Sequence, residues 1–285
     1  MVDAAERNDA AVPRRRIWLV ADDYGMSPAV NAAIRDLAAH GRLSATSVMA
    51  VAPSFTRAEA LALAAPDGAP ARIAIGLHVT LTAPFRPLTP DFMPMRAGAF
   101  LPLGTMMRRA LLGRLDRAAV AAEIAAQFTA FHEAFGRAPD YVDGHQHVQL
   151  LPTVRDALLA TVQAQAPNAW VRQCGSVAPR LGDPKGLLLD RLSRGFRARA
   201  AACGIRTNPA FAGTYDFSDK PPFAARFARF LDGLPDGGLV MCHPGHVDDE
   251  LRRLDPVTDQ RAREYAYFAG DDFAALLRAQ QVALA

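Results

Sequence analysis

Two adjacent carboxylates and a set of histidines are the residues of this chain that could do chemistry. Asp22 and Asp23 directly follow a short apolar run. Five of the seven histidines lie at His78, within 145–147 and within 243–246, three segments that end predicted strands. Carboxylate and imidazole together form the mixed ligand set that suits zinc or another divalent transition metal and leaves positions open for water and substrate. The sequence therefore predicts metal-assisted chemistry where these segments meet.

Each of these residues also has a plain structural explanation. Aspartate is common in turns, so Asp22 and Asp23 could be turn-formers. A single strand histidine such as His78 could be a hydrogen-bonded core residue. His243 precedes a proline and could mark a turn. What sets these residues apart is that all of them share one place in the topology, the end of a strand.

His145 and His147 form a stronger pair than any isolated histidine. Alternate residues of an extended segment face the same way, so we expect both imidazoles to approach one centre. His40 and His132 lie on predicted helices, where we expect surface groups.

Strands and helices alternate along the whole chain. In the first unit an apolar strand over 17–21 leads to Ser27 as helix N-cap, Pro28 at the first helical position and a stop at Gly41. Six or seven such alternations in 285 residues predict an α/β fold, a closed or nearly closed parallel (β/α) barrel of the TIM type, with an open doubly wound sheet as the alternative. In such barrels the active site lies at the carboxyl ends of the strands.

Composition favours one domain without a nucleic-acid partner. Hydrophobic residues make up 51% of the chain, enough for a single large core over 17–285, whereas the polar segment 1–16 is expected to be a disordered tail. The net charge of +3, from 32 basic and 29 acidic residues, does not indicate nucleic-acid binding. No G-x-G-x-x-G motif follows the first strand and no P-loop is present, which argues against dinucleotide binding.

The cysteines and the length of the apolar stretches indicate the compartment in which the protein works. Cys174, Cys203 and Cys242 are odd in number and far apart, which fits a reducing cytoplasm better than a disulfide framework. No stretch approaches the roughly 20 apolar residues of a membrane span. We therefore expect a cytoplasmic protein without a transmembrane segment, and a homodimer is the default oligomer.

The segment 82–113 is rich in proline and glycine and has no clear helix or strand pattern. A long connection of this kind in a compact domain is commonly a lid or a substrate-binding loop. An ordinary insertion is the alternative.

Four motifs together resemble a known family. They are Ala21-Asp22-Asp23-Tyr24-Gly25, Gly76-Leu77-His78-Val79-Thr80-Leu81-Thr82, Asp143-Gly144-His145-Gln146-His147-Val148 and Met241-Cys242-His243-Pro244-Gly245. In this order they resemble the successive motifs of the YdjC-like carbohydrate deacetylases, which include chitooligosaccharide deacetylases and members associated with hopanoid glycolipid synthesis. The resemblance extends from about residue 16 to the C-terminus.

The resemblance implies a barrel related to polysaccharide deacetylases and one divalent metal ion, magnesium or zinc. Matched position by position, it implies Asp23, His78 and His145 as metal ligands. It also implies Asp22 as the general base and His243 as the general acid. The expected reaction is removal of an acetyl group from an N-acetylated amino sugar, in an oligosaccharide or a glycolipid head group.

Two further residues receive supporting roles, and two other functions stay open. The resemblance places His147 in the surroundings of the ligands, and Arg172, at a predicted strand end, could orient Asp22, bind substrate or be a surface arginine. The same ligands could hydrolyse another amide, an ester or a phosphoester. A non-catalytic sugar-binding barrel is the remaining alternative.

Overall fold

The computed structural model describes residues 15–65, 73–177 and 184–285. The strands in these ranges are β1 (Arg15–Tyr24), β2 (Ala45–Val48), β3 (Ala74–Val79), β4 (Tyr141–Gly144), β5 (Trp170–Val171), β6 (Phe211–Ala212), β7 (Leu239–Cys242) and β8 (Val282–Leu284). The helices are α1 (Pro28–Ala39), α2 (Arg57–Ala64), α3 (Leu103–Leu111), α4 (Arg117–Phe135), α5 (Pro152–Gln165), α6 (Pro184–Ala202), α7 (Phe223–Leu231), α8 (Asp249–Leu254), α9 (Asp259–Ala269) and α10 (Asp271–Ala279). Among the helices of the described ranges, none has the length and apolar character needed to cross a bilayer.

Seven strands form one parallel sheet in the order β5-β4-β3-β2-β1-β7-β6. Neighbours in space are successive in sequence except where β7 returns beside β1, which is the strand order of a barrel. The two edges approach each other, because Val171 bridges Thr207 and the side chain of Asn208 bonds the N–H and the carbonyl of Gln173 at 2.9 and 3.1 Å. The sheet therefore curls into a nearly closed α/β barrel, and the predicted fold class is confirmed.

The first strand begins two residues earlier than the expected domain boundary at 17. Segment 15–17 pairs in parallel with β8, and the guanidinium of Arg15 donates to the carbonyl of Leu234 at 2.6 Å. Long-range pairing of this kind has no signal in a local window of sequence. Residues 1–14 of the expected tail lie outside the described residues.

The first strand and helix place the aspartate pair at the mouth of the barrel. From Leu19 onward every residue of β1 is buried, since helices cover one face and the barrel interior the other. The Ser27 hydroxyl accepts the N–H of Val30 at 3.2 Å and Pro28 occupies the first turn of α1, as predicted. The two carboxylates therefore lie between a buried strand and a firmly capped helix.

The segment 82–113 is more ordered than expected. It contains α3, and the rings of Phe85, Phe92 and Phe100 are buried in the core. Two of its main-chain N–H groups donate to the buried carboxylate of Glu123 on α4, at 3.1 and 2.9 Å. The proline and glycine content of the segment gave no sign of α3 or of the three buried phenylalanine rings that pack the segment against the barrel.

Candidate metal centre and catalytic pocket

Asp23, His78 and His145 converge at the carboxyl ends of β1, β3 and β4. The Oδ1 atom of Asp23 lies 3.0 Å from His145 Nδ1 and 3.4 Å from His78 Nε2, and one donor atom from each residue lies within 4.8 Å of the others. All three side chains are buried. Asp23 has a φ of 72°, a left-handed conformation that aspartate tolerates better than most residues. This local turn aims its carboxylate at the histidines.

Asp143, which the sequence analysis did not assign a role, orients His78. Its Oδ1 atom lies 2.5 Å from His78 Nδ1, so Nδ1 is the protonated nitrogen and Nε2 faces Asp23. Burial disfavours the imidazolium, but the carboxylates of Asp143 and Asp22 outweigh it and raise the pKa of His78 to about 10. In the absence of a cation His78 therefore carries a second proton between the carboxylates.

Arg172 binds both oxygens of the Asp22 carboxylate. Its Nη1 and Nη2 donate to Oδ2 and Oδ1 at 2.8 and 2.5 Å, and Nη2 also contacts Asp143 and the hydroxyl of Ser47. Burial alone would raise the pKa of Asp22, but the buried guanidinium outweighs it and lowers that pKa. Asp22 is therefore ionised at neutral pH, and Arg172 is a buried partner rather than a surface group.

His243 lies on the other side of Asp22. Its Nε2 is 4.0 Å from Asp22 Oδ2, and the edge of its ring packs on Phe217 with centroids 5.2 Å apart. Within the described ranges its buried Nδ1 has no hydrogen-bond partner. Burial lowers the pKa of His243, so the imidazole is neutral at rest.

His147 lines the same cavity as His145 but belongs to neither compact donor set of the described residues, and the expectation that its segment is extended is wrong. Segment 145–150 is a 3₁₀ turn, not an extended strand, and His147 itself has a φ of 61°. Its Nδ1 lies 3.5 Å from the sulfur of Cys174 and its ring edge packs on Phe211. Burial, with help from the nearby Arg172 charge, lowers the pKa of His147 to about 3. His147 is a neutral wall of the pocket.

His246 also lies apart from the cluster. It is exposed, and its ring meets the edge of Tyr265 at a centroid distance of 4.2 Å.

Helix α9 contributes two buried residues that sequence reasoning missed. Arg261 Nη2 donates to Asp23 Oδ2 at 2.6 Å and also to Asp255, so the buried guanidinium joins these two carboxylates. Glu264 accepts the main-chain N–H of His243 at 2.6 Å. Neither residue lies in a recognisable motif, whereas Asp143 stands in the Asp-x-His motif and could have been found there.

A glycine on β3 supports the same network. A Cβ atom at Gly76 would lie 2.4 Å from the ring of Tyr141, so the ring occupies the space that a side chain would need. The Tyr141 hydroxyl lies 2.8 Å from Ser47 Oγ, which donates to Asp143 at 2.6 Å. The chain of contacts thus extends from β3 through a tyrosine and a serine to the carboxylate that orients His78.

Two cavities meet at the site. The polar one, of about 170 Å³, is lined by the cluster, His243 and Arg261. A second, of about 590 Å³, lies between α3 and α6 and shares four lining residues with the first: Gln146, His147, Thr214 and Tyr215. Most of its remaining wall is apolar, formed by Leu103, Met107, Leu151, Leu188, Leu189 and Leu192. The site therefore has a small polar end and a larger apolar end.

Two donor sets in the described residues are compact enough for a metal ion, and one fits better. In the set of Asp22, His78 and Asp143, Arg172 already binds both carboxylates and Asp143 binds the Nδ1 atom of His78. The set of Asp23, His78 and His145 directs one oxygen and two imidazole rings at a common point, next to a cavity. A carboxylate with two imidazoles and open positions suits a divalent cation.

Comparisons with known proteins identify the family and the fold. The profile of the family described as YdjC-like protein matches residues 16–279. A chitooligosaccharide deacetylase of Serratia marcescens is 31% identical over 230 residues, covering 80% of this chain and 81% of the relative, and one of Yersinia pestis is 35% identical over 234 residues, covering 81% and 82%. A crystal structure of an Enterococcus faecalis protein shares the fold at a TM-score of 0.74 and 21% identity, covering 95% of this chain and 97% of that one. The chain therefore belongs to the YdjC-like family, as its four motifs predicted.

Proposed function

We propose that this protein is a metal-dependent N-deacetylase that removes acetyl groups from N-acetylated amino sugars. The observation that carries the proposal is the convergence of Asp23, His78 and His145 within 4.8 Å, with Asp22 and His243 beside them. The named activity of the relatives supports it, because they are chitooligosaccharide deacetylases and match about four fifths of this chain.

The cation would be held by Asp23 Oδ1, His78 Nε2 and a ring nitrogen of His145. A divalent cation there would polarise the acetyl carbonyl and lower the pKa of a water molecule. Two imidazoles favour a transition metal such as zinc, while magnesium is the other candidate. Arg261 keeps Oδ2 of Asp23 occupied, so Oδ1 stays turned to the histidines.

Asp22 would accept the proton of the attacking water. Its lowered pKa keeps it ionised, and each of its oxygens retains a lone pair beyond the bonds to Arg172. Arg172 would fix the direction of that carboxylate. A carboxylate that Arg172 already orients does not have to reorient when the water attacks.

His243 would deliver a proton to the departing sugar amine. Because its imidazole is neutral at rest, the proton that Asp22 accepts would move to His243 and from there to the nitrogen. The present 4.0 Å between Asp22 and His243 is typical of catalytic contacts before substrate binds.

The apolar cavity favours a glycolipid substrate over a free oligosaccharide. A chitooligosaccharide presents hydroxyl and acetamido groups along its length, whereas this cavity offers leucine and methionine side chains next to the proposed acetyl site. A glycolipid could place its sugar in the polar end and an apolar portion between α3 and α6. The cavity of about 590 Å³ has room for a moiety of that kind.

The test is acetate release from a panel of N-acetylglucosaminyl oligosaccharides and glycolipids, with phosphodiesters and simple esters beside them. We expect acetate from the acetamido sugars, slower turnover of simple acetyl esters and no hydrolysis of the phosphodiesters. Activity should be lost on chelation and should recover when zinc or magnesium is added. His78→Ala should abolish turnover, while His132→Ala, which alters an exposed histidine on α4, should leave it unchanged. Turnover that survives complete chelation, or sugar binding without any turnover, would overturn the proposal.

A further inference from the structure

Helix α9 is attached to the loop that follows β7 at two points. The Glu264 carboxylate accepts the N–H of His243 at 2.6 Å, and the main-chain carbonyl of Arg261 accepts the N–H of Gly245 at 3.1 Å. The second oxygen of Glu264 accepts the hydroxyl of Tyr215, which lines both cavities. The loop that presents His243 therefore rests on a helix remote in sequence.

The ring of His243 has little else to orient it. Its Nδ1 has no hydrogen-bond partner in the described part of the chain, and Phe217 contributes only an edge contact. Asp22 lies 4.0 Å from Nε2, so where the imidazole sits relative to that carboxylate depends on the main chain of His243. That main chain is fixed where its N–H meets Glu264.

We infer that Glu264 is a positioning residue that holds His243 in reach of the leaving group. The inference rests on the proposed function, in which His243 delivers the proton to the amine. Glu264 acts through the main-chain N–H of His243, and Tyr215 holds the carboxylate in place from its other side.

The placement of a glutamate here is costly for folding, which argues for a role beyond packing. Glu264 is fully buried, and burial raises its pKa to about 7. An apolar side chain of similar volume would avoid the desolvation of the carboxylate. A leucine could fill the volume but could not accept the N–H of His243.

The experiment compares two acetyl donors in Glu264→Leu, Glu264→Gln and the wild type, all loaded with metal. The amine of an N-acetylglucosaminyl substrate needs a proton to depart, whereas the nitrophenolate of para-nitrophenyl acetate does not. We expect Glu264→Leu to lower kcat on the sugar by about 10²-fold, the effect of a misplaced catalytic group, with KM and ester turnover near wild type. Glu264→Gln keeps an acceptor for the N–H and should recover most of the sugar activity.

A matched control and a double variant separate positioning from stability. Glu123→Leu removes another buried glutamate that accepts main-chain N–H groups, but on α4, and should change sugar and ester turnover by equal factors. Combined with His243→Ala, Glu264→Leu should add no further loss on the sugar, because both changes disable the same proton transfer.

The two failures can be told apart. Equal losses on sugar and ester in Glu264→Leu, or additive losses in the double variant, would overturn the positioning role. If wild-type protein releases no acetate from any acetamido sugar, the proposed function itself fails. The double-variant comparison needs only the sugar substrate, so it tests the positioning role of Glu264 even where ester turnover is slow.

Discussion

Two buried arginines hold two adjacent aspartates, and they do so in different ways. Arg172 covers both oxygens of Asp22, whereas Arg261 binds one oxygen of Asp23 and leaves the other to the histidines. In the proposed function the first carboxylate accepts a proton and the second binds a cation. Neighbours in sequence thus acquire different chemistry from the guanidinium that each one meets.

The two arginines also differ in their second partners. Arg172 lies between Asp22 and Asp143, both fully enclosed, while Arg261 lies between Asp23 and Asp255, whose side chain is 16% exposed. Water can therefore replace more of the Arg261 pairing than of the Arg172 pairing. We expect the Arg172 side to matter more for folding and the Asp23 side to matter more for the cation.

The largest effect should come from Asp23→Asn. The amide can still accept a bond from Arg261, but it then turns its nitrogen toward the histidines and cannot ligate a cation. We expect metal content below one equivalent and an activity loss of about 10³-fold or more, the effect of losing several kcal/mol of cation stabilisation. Elemental analysis beside acetate release checks this, and full occupancy in the variant would show that Asp23 is not a ligand.

Asp22→Asn should leave the cation in place and still damage the reaction. Loss of a general base lowers the rate by about 10²–10⁴-fold. Metal content should equal that of the wild type, which separates this variant from Asp23→Asn. Wild-type kcat in Asp22→Asn would remove Asp22 from the proton pathway.

The arginines can be compared by their free energies of unfolding. In metal-free protein, Arg172→Met removes the guanidinium that Asp22 and Asp143 share and should lower stability by about 3–5 kcal/mol, although Asp143 keeps its bonds to Ser47 and His78. Arg261→Met should lower it less, because Asp255 reaches water. Urea denaturation of both variants measures the difference. An equal or larger loss in Arg261→Met would show that the Arg172 pairing is not the stronger contribution to folding.

The smallest effect concerns pH and Glu264. Its pKa is about 7 in the folded protein against about 4.3 for an unfolded glutamate, so the folded state binds more protons between these values. The wild type should therefore lose stability relative to Glu264→Gln as pH rises through this window, and the difference should level off above it. Unfolding free energies at about pH 5 and about pH 8 test the sign; a difference independent of pH would show that Glu264 ionises normally.

Much of the fold and half of the site could be predicted from local sequence. Strand ends carry their chemistry within a few residues, so the sequence placed Asp23, His78 and His145 at the ends of strands, while the resemblance to the family singled them out as ligands. The turn at His147 was not foreseen because a left-handed residue outside glycine leaves no pattern.

Arg261 escaped prediction for a different reason. Its contact with Asp23 joins residues that lie 238 positions apart, and nothing near it in the chain differs from an ordinary helix. Pairings of this range depend on how the barrel closes, which periodicity alone does not specify. The same holds for β8, which pairs with the beginning of β1.

Gly76 carries no functional group, yet it will behave in a mutational screen like a residue of the site. Alanine there would push the Tyr141 ring aside and, through Ser47, disturb the aspartate that fixes the tautomer of His78. Libraries that diversify only the pocket walls would overlook this position. Directed evolution of a new substrate range should therefore leave this glycine untouched while the leucines between α3 and α6 vary freely.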